Sequence, residues 1–229
     1  MTSTPGVFER SGLTYTSCYC EENIYCMVRD HIEPLDRRHY TVVFISNEEK
    51  CTPLFYQKAG KIPQIPVCWD YHVILIHKAA TTTTKGPSST VYDFDTTLHP
   101  FGLQFESYVS RTLYGDEGLW ANPDDREAVL SYVNKHPRGF RLVAAEEYIK
   151  LFASTRKHMM KKCADESSDA DGGWLTKPPD YPPIRTEASD DTMEKFLDFS
   201  CADDEYGEIL DEWAFWEKFA GAADHGGGR

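Results

Sequence analysis

The sequence predicts a mixed fold, α/β of the α+β type, in which a mainly antiparallel sheet is packed by helices. Three observations carry this expectation. Two strand-like runs, Trp69 to His77 (WDYHVILIH) and Thr90 to Asp95 (TVYDFD), flank a polar loop that ends in Gly-Pro and read as a hairpin with a long tip. A third run, Tyr40 to Ser46 (YTVVFIS), is dense in β-branched and aromatic residues, as strands are. Segments with helical spacing stand before and after these runs.

The elements follow in order. Ser17 to Arg29 reads as a helix, with Ser17 as its cap, Glu21 and Glu22 in its first turn, and Ile24, Met27 and Val28 at helical spacing. Leu54 to Tyr56 is a short strand. Trp69 to His77 is apolar on both faces, which suits a central strand. Pro123 to Lys135 is a helix: Asn122 caps it, Pro123 fits its first position, and Asp124 and Asp125 complement its dipole. Phe140 to Val143 is a strand and Ala144 to His158 a helix. Thr192 to Leu197 forms a helical turn. Asp204 to Ala220 closes the chain as an amphipathic helix with an apolar stripe of Tyr206, Ile209, Leu210, Trp213, Trp216 and Ala220.

Composition and charge narrow the class. With 41% hydrophobic and 27% charged residues, the chain has a globular composition, and 229 residues are enough for one domain, 1–229, with a real core. Within it, 1–14 is a loose leader, 163–191 an extended surface segment rich in Asp, Ser, Gly and Pro, and 221–229 a flexible tail. A net charge of −13 argues against a nucleic-acid partner, which would need a basic face. The longest apolar stretch, Tyr71 to Ala80, falls short of the ~20 residues that span a bilayer, so no membrane role is expected. The N-terminus lacks the apolar core of a secretory signal, which points to the cytosol, with the nucleus open to a chain of this size. Seven cysteines, an odd number with no CxxC pair, do not read as a disulfide framework, and most are expected to be reduced. The spacing of Cys18, Cys20 and Cys26 matches no structural zinc site. Neither a metal nor an organic cofactor is expected.

One ordered set carries chemistry: a cysteine at a helix start, then a histidine on a strand, then a carboxylate on the next strand. At Cys20 the free N–H groups and dipole of the helix favour a thiolate and offer donors to an oxyanion. His72 is placed to take the thiol proton and return it to a leaving amine. His77, five residues on, faces the other way, so only one of the two points into a given cleft. A carboxylate orients the imidazole, and the strand pattern leaves Asp93 and Asp95, which share a face, as equal candidates. Glu21 and Glu22 cut against a thiolate unless they point away or are balanced. They are also candidates, with Asp70, for holding a substrate ammonium.

At these residues the sequence resembles the protein N-terminal glutamine amidohydrolase family. The matching segments include YTSCYCEENIY (15–25), VVFISNEEK (42–50), WDYHVILIH (69–77), VYDFDTTL (91–98), FRLVAAEEYIKLFASTRKHM (140–159) and GGWLTKPPDYPPI (172–184). The resemblance implies a fold related to papain and transglutaminase cores. It also implies a catalytic set of Cys20 as nucleophile, His72 as base and Asp93 as its partner. The implied reaction turns an N-terminal glutamine of a peptide or protein into glutamate with loss of ammonia through a cysteine thioester, a step in the N-degron pathway. A monomer is expected, although nothing in the sequence fixes the oligomeric state. Residues 114–137 and the acidic end from about Asp203 depart from the pattern. Other readings of the same residues are a transglutaminase-like acyl transferase, a cysteine peptidase, a non-catalytic module that binds N-termini, or a zinc protein built on Cys18, Cys20 and Cys26.

Overall fold

Alternation along two apolar strands decides the layering of the molecule. The structure, a computed structural model, describes residues 8–79, 89–161, 173–200 and 203–220. Strand β1 (Tyr40–Ser46) has the expected bounds and pairs antiparallel with β4 (Tyr71–Lys78) on one side and β7 (Gly139–Ala144) on the other. Val42 and Phe44 of β1 share a face with Val73 and Leu75, because Phe44 lies opposite Val73 and Val42 opposite Leu75. Val43 and Ile45 turn to the other face with Ile74 and Ile76.

Each face is covered by helices. Against the first lie α1 (Cys20–His31), α4 (Ala145–Leu151) and α5 (Met193–Phe196), through Ile24, Met27, Tyr148 and Phe196. Against the second lie α2 (Phe105–Tyr114) and α6 (Glu212–Phe219), through Phe105, Val109, Phe215 and Phe219. Each such buried side chain contributes roughly 1.5–3 kcal/mol of transfer free energy. The remaining helix, α3 (Pro123–Asn134), has the expected Asn122 cap, whose side chain accepts from the Asp124 N–H, and buries only Val133.

Four short strands complete the main sheet: β5 (Ser89–Tyr92), β6 (Leu103–Gln104), β8 (Asp203–Asp204) and β9 (Gly207–Leu210). Its order is β6-β5-β4-β1-β7-β9-β8, and every neighbouring pair is antiparallel. A small second sheet pairs β2 (Thr52–Leu54) with β3 (Val67–Trp69). The pairing sets Pro53 opposite Cys68 and brings the two cysteines together: Cys51 and Cys68 form a disulfide with Cα atoms 5.3 Å apart. The odd cysteine count did not suggest this pair. Cys18, Cys20 and Cys26 are free thiols.

Several expected boundaries move, each for a local reason. Ser17 does not cap α1; the cap position is Tyr19, and no side chain caps it. The entering turn is tied instead by Asn23, whose Oδ1 accepts from the Thr16 N–H at 2.7 Å and whose Nδ2 donates to the Thr16 carbonyl at 2.8 Å. The expected strand Thr90 to Asp95 ends at Tyr92, because the Asp93 carboxylate captures the Asp95 N–H at 2.8 Å and turns the chain out of the ladder. The helix expected to run to His158 stops at Leu151. Beyond it Thr192 Oγ1 takes the Ala153 N–H and the Ile184 carbonyl takes the Ser154 N–H, so the chain pairs with residues 184–192. That partner stretch is not merely surface: Ile184 is buried in the core.

The single C-terminal helix from Asp204 is also replaced. Gly207 lies at φ +112°, and a Cβ there would meet the Leu142 carbonyl oxygen at 2.1 Å, so only glycine allows the β8–β9 hairpin to reach β7. Helix α6 begins after Asp211, whose side chain accepts from the Ala214 N–H at 2.8 Å. Its buried face is Phe215 and Phe219, whereas Trp213 of the expected stripe is 70% exposed. Among the described residues no helix is long and apolar enough to cross a membrane. Most of the loop 81–89, residues 163–172, the tail 221–229, residues 1–7 of the leader, Cys163 and Cys201 lie outside the described residues.

Candidate active site

The site forms where the first turn of α1 meets the start of β4. Cys20 is the first residue of α1, almost wholly buried, and its sulfur faces the backbone N–H of Val73. Strand β5 pairs with β4 only as far as Leu75, which leaves that edge of β4 open to the thiol. The thiol also donates to Glu21 Oε2 at 3.6 Å.

His72, beside Val73, holds Asp93 through Nε2 and Oδ1 at 2.9 Å, and both side chains are buried. The structure thus separates the two aspartates that the strand pattern left equal. Asp93 carries four contacts: His72, the Asp95 N–H, the Tyr108 hydroxyl at 2.8 Å and Gln57 Nε2 at 3.3 Å. Burial alone would raise its pKa, but the charge and hydrogen bond of His72, with the other donors, bring it down to about 2. As an ionised carboxylate Asp93 can only accept, so the neutral imidazole carries its hydrogen on Nε2 and its lone pair on Nδ1. Burial disfavours protonation of His72, yet the Asp93 charge outweighs it and the pKa rises. The imidazole also stacks on Trp69, ring centroids 5.8 Å apart, and Trp69 Nε1 donates to Gln57 Oε1. Gln57 therefore ties the ring's stacking partner to its carboxylate.

The carboxylates beside the nucleophile are disposed of separately. Glu22 is fully buried and receives Arg156 in a fork, Nε to Oε1 and Nη2 to Oε2, each at 2.8 Å. Its charge is already balanced by Arg156 and it is enclosed, which disfavours it as an anchor for a substrate ammonium. Glu21 accepts from the Tyr71 hydroxyl at 3.0 Å, and burial foremost pushes its pKa up to about 8, so it is mainly neutral at pH 7. Burial, then Glu21 and Asp95, push the Cys20 thiol well up, so the resting sulfur is protonated. Asp70 lies at the exposed rim, its Oδ1 accepting the Tyr71 N–H at 2.9 Å. His77 packs against Tyr40, away from this set.

His72, Asp93 and Asp95 are thus brought to one place, and Cys20, at the start of α1, faces Val73, the residue after His72. Sequence reasoning missed Tyr108, Gln57 and Arg156. Tyr108 sits on α2, a helix not anticipated at all, while Arg156 stands in the conspicuous run 140–159. His72, Asp93 and Asp95 offer ligand atoms within 4.8 Å of one another, and His72 Nε2 and Asp93 Oδ1 are bonded to each other. Among the described residues Cys18, Cys20 and Cys26 do not converge into a metal-binding group.

A buried thiol at a helix start and a strand-borne histidine fixed by a carboxylate, on an α+β fold, are the groups that a hydrolase with a sulfur nucleophile would need. Comparison with known families makes this specific. The family model of the N-terminal glutamine amidase matches residues 15–219, and this chain belongs to that family. Proteins named protein N-terminal glutamine amidohydrolase are similar along most of their length. The one from Bos taurus is 37% identical over 202 residues, 86% of this chain and 82% of its own. That from Drosophila melanogaster is 36% identical over 193 residues, 83% of this chain and 80% of its own.

Proposed function

We propose that this chain deamidates an N-terminal glutamine of peptides or proteins, giving glutamate and ammonia through a Cys20 thioester. Membership of the amidase family supports this reading, together with the His72–Asp93 pair beside the stretch of β4 that the Cys20 sulfur faces. With Nε2 of His72 committed to Asp93, Nδ1 is the atom that takes the Cys20 proton. Because the resting thiol is neutral, that transfer accompanies attack rather than preceding it. The sulfur adds to the side-chain amide carbon. The carbonyl oxygen, now negative, is met by backbone N–H groups at the start of α1, where the Cys20 N–H has no partner within the helix. The carbon–nitrogen bond breaks as His72 protonates the departing ammonia. A water then gives its proton to His72, its oxygen forms the new acid, and the thiol is restored.

In this reading the substrate is a protein or peptide with a free N-terminal glutamine, and the product enters the N-degron pathway. The enzyme acts as a monomer in the cytosol, with the nucleus accessible. The test is mass spectrometry of a Gln-initiated peptide incubated with the protein. A gain of about one mass unit with stoichiometric ammonia and intact peptide bonds supports the proposal. Cleavage, or transfer to an added amine in place of hydrolysis, would move the chain to the peptidase or acyl-transferase reading. Binding without any chemistry would make it a reader of N-termini.

A further inference from the structure

Asp95 is a buried carboxylate beside the reacting groups for which the chemistry above has no use. It is 4% exposed. Its Oδ1 accepts from the Tyr15 hydroxyl at 2.7 Å, while Oδ2 accepts no hydrogen bond among the described residues. A carboxylate oxygen of Asp95 lies within 4.8 Å of a His72 ring nitrogen and an Asp93 oxygen, and its charge acts on both the Cys20 thiol and His72. The imidazole is held by Asp93, so Asp95 does not orient it. Lys58 is the nearby cation, but its Nζ stands over the Tyr15 ring, 4.1 Å from the centroid, and forms no ion pair with Asp95 among the described residues. Keeping an unpaired carboxylate buried is costly. A cation brought beside Asp95 would offset that cost.

We propose that Asp95 is the counter-ion for the α-ammonium of the substrate's first residue, a role that rests on the glutamine-amidase reading above. In an extended glutamine the α-nitrogen lies four bonds, roughly 5 Å, from the amide carbon. The group that holds the ammonium must therefore sit close to the sulfur and the imidazole without blocking either. Asp95 meets this condition. Glu22 is closed by Arg156, and Glu21 is fully enclosed and bonded to Tyr71 and the thiol. Asp70 is turned to the Tyr71 N–H at the rim. Tyr15 is the positioning residue: it fixes one Asp95 oxygen and is itself stacked on Phe94, centroids 6.1 Å apart. Recognition is then of charge at the first residue, which excludes internal glutamine and blocked N-termini.

The test separates binding from turnover. Full-length Cys20→Ala protein is titrated calorimetrically with two peptides, one starting with glutamine and one identical but lacking only the α-amine. A charged hydrogen bond of this kind predicts that the amine peptide binds about tenfold tighter or more. In Cys20→Ala/Asp95→Asn the two peptides should bind alike, near the affinity of the amine-free one. Retention of the amine preference overturns the assignment. Should the Asp95→Asn protein not fold, Tyr15→Phe in the Cys20→Ala background decides. A preference reduced about threefold or more supports Asp95, and an unchanged preference counts against it. Absence of ammonia release by the wild-type protein would sink the amidase reading alone, since the calorimetric contrast stands without turnover.

Discussion

Arg156 grips Glu22 with both arms of its guanidinium, at 2.8 Å each, inside the protein, from a backbone held left-handed at φ 63°. Three backbone carbonyls, of Pro179, Tyr181 and Pro182, accept its remaining hydrogens. The relationship answers the electrostatic difficulty posed by two acids next to Cys20. One acid is balanced by a fixed cation, and the other is neutralised by burial. Arg156→Met leaves Glu22 buried and unpaired, which should cost about 3–5 kcal/mol of stability, whereas Arg156→Met with Glu22→Gln should recover most of it. Thermal unfolding of the three proteins measures this. A single variant as stable as wild type would mean that water reaches Glu22.

The nucleophile should be separable from its neighbours. Cys20→Ala should abolish ammonia release and retain the fold, since Ala is favourable within a helix. Cys18→Ala and Cys26→Ala should keep substantial activity: Cys18 sits on the turn before α1, and Cys26 is buried and accepts from Arg29. An inactive Cys18→Ala beside an active Cys20→Ala would reassign the reacting sulfur.

Asp93 and its supports should form a graded series. Asp93→Asn should lower kcat by about 10³–10⁴, by analogy with the loss of an orienting carboxylate in a serine triad, because the amide can present a donor to Nε2 and favour the wrong tautomer. Tyr108→Phe removes one charge-assisted hydrogen bond, worth about 1.5–3 kcal/mol, and should act more weakly, through kcat more than KM. Steady-state kinetics of the pair checks the order. A Tyr108→Phe rate equal to wild type would limit that hydroxyl to packing.

The order of these effects could not be read from the chain alone. The core strands, and Cys20 and His72 as candidates, were legible because they rest on local signals: period-two alternation and a helix start. The choice of Asp93 over Asp95 was not legible from the strand pattern, since it depends on Asp93 bending the chain with its own side chain. Tyr108 was invisible because α2 presents no cap to announce it: Gln104 at its N-cap makes no side-chain bond. The C-terminal stripe misled because Gly207 was given no weight against an apparently regular apolar spacing. The disulfide depends on the pairing of β2 with β3, a contact of tertiary origin.

Glu21 should give the protein an alkaline loss of stability that a glutamine in its place removes. Its Oε2 is bonded to Tyr71 and the thiol, while Oε1 has no hydrogen bond and stands 3.7 Å from His158 Nε2. Burial raises the group from 4.5 in the unfolded chain to about 8 in the folded one. Folding therefore takes up a proton between those values, and the linkage has a definite sign: the stabilising contribution is full below about 4.5 and is lost as the pH rises towards and through about 8. Asp93 has the opposite sign. Its depressed value stabilises the fold above its unfolded pKa of 3.8 and the contribution is lost as the pH falls through about 2, so it shapes only the acid limb. Glu21→Gln keeps the size and the hydrogen-bonding capacity of the side chain but does not titrate. The melting temperature of wild type should fall steadily relative to that of Glu21→Gln as the pH is raised from about 5 to about 8, and the difference should level off above that. Parallel profiles for the two proteins would show that Glu21 is not held neutral in the folded state. The thiol of Cys20 would then lie beside a carboxylate whose charge Arg156 does not balance.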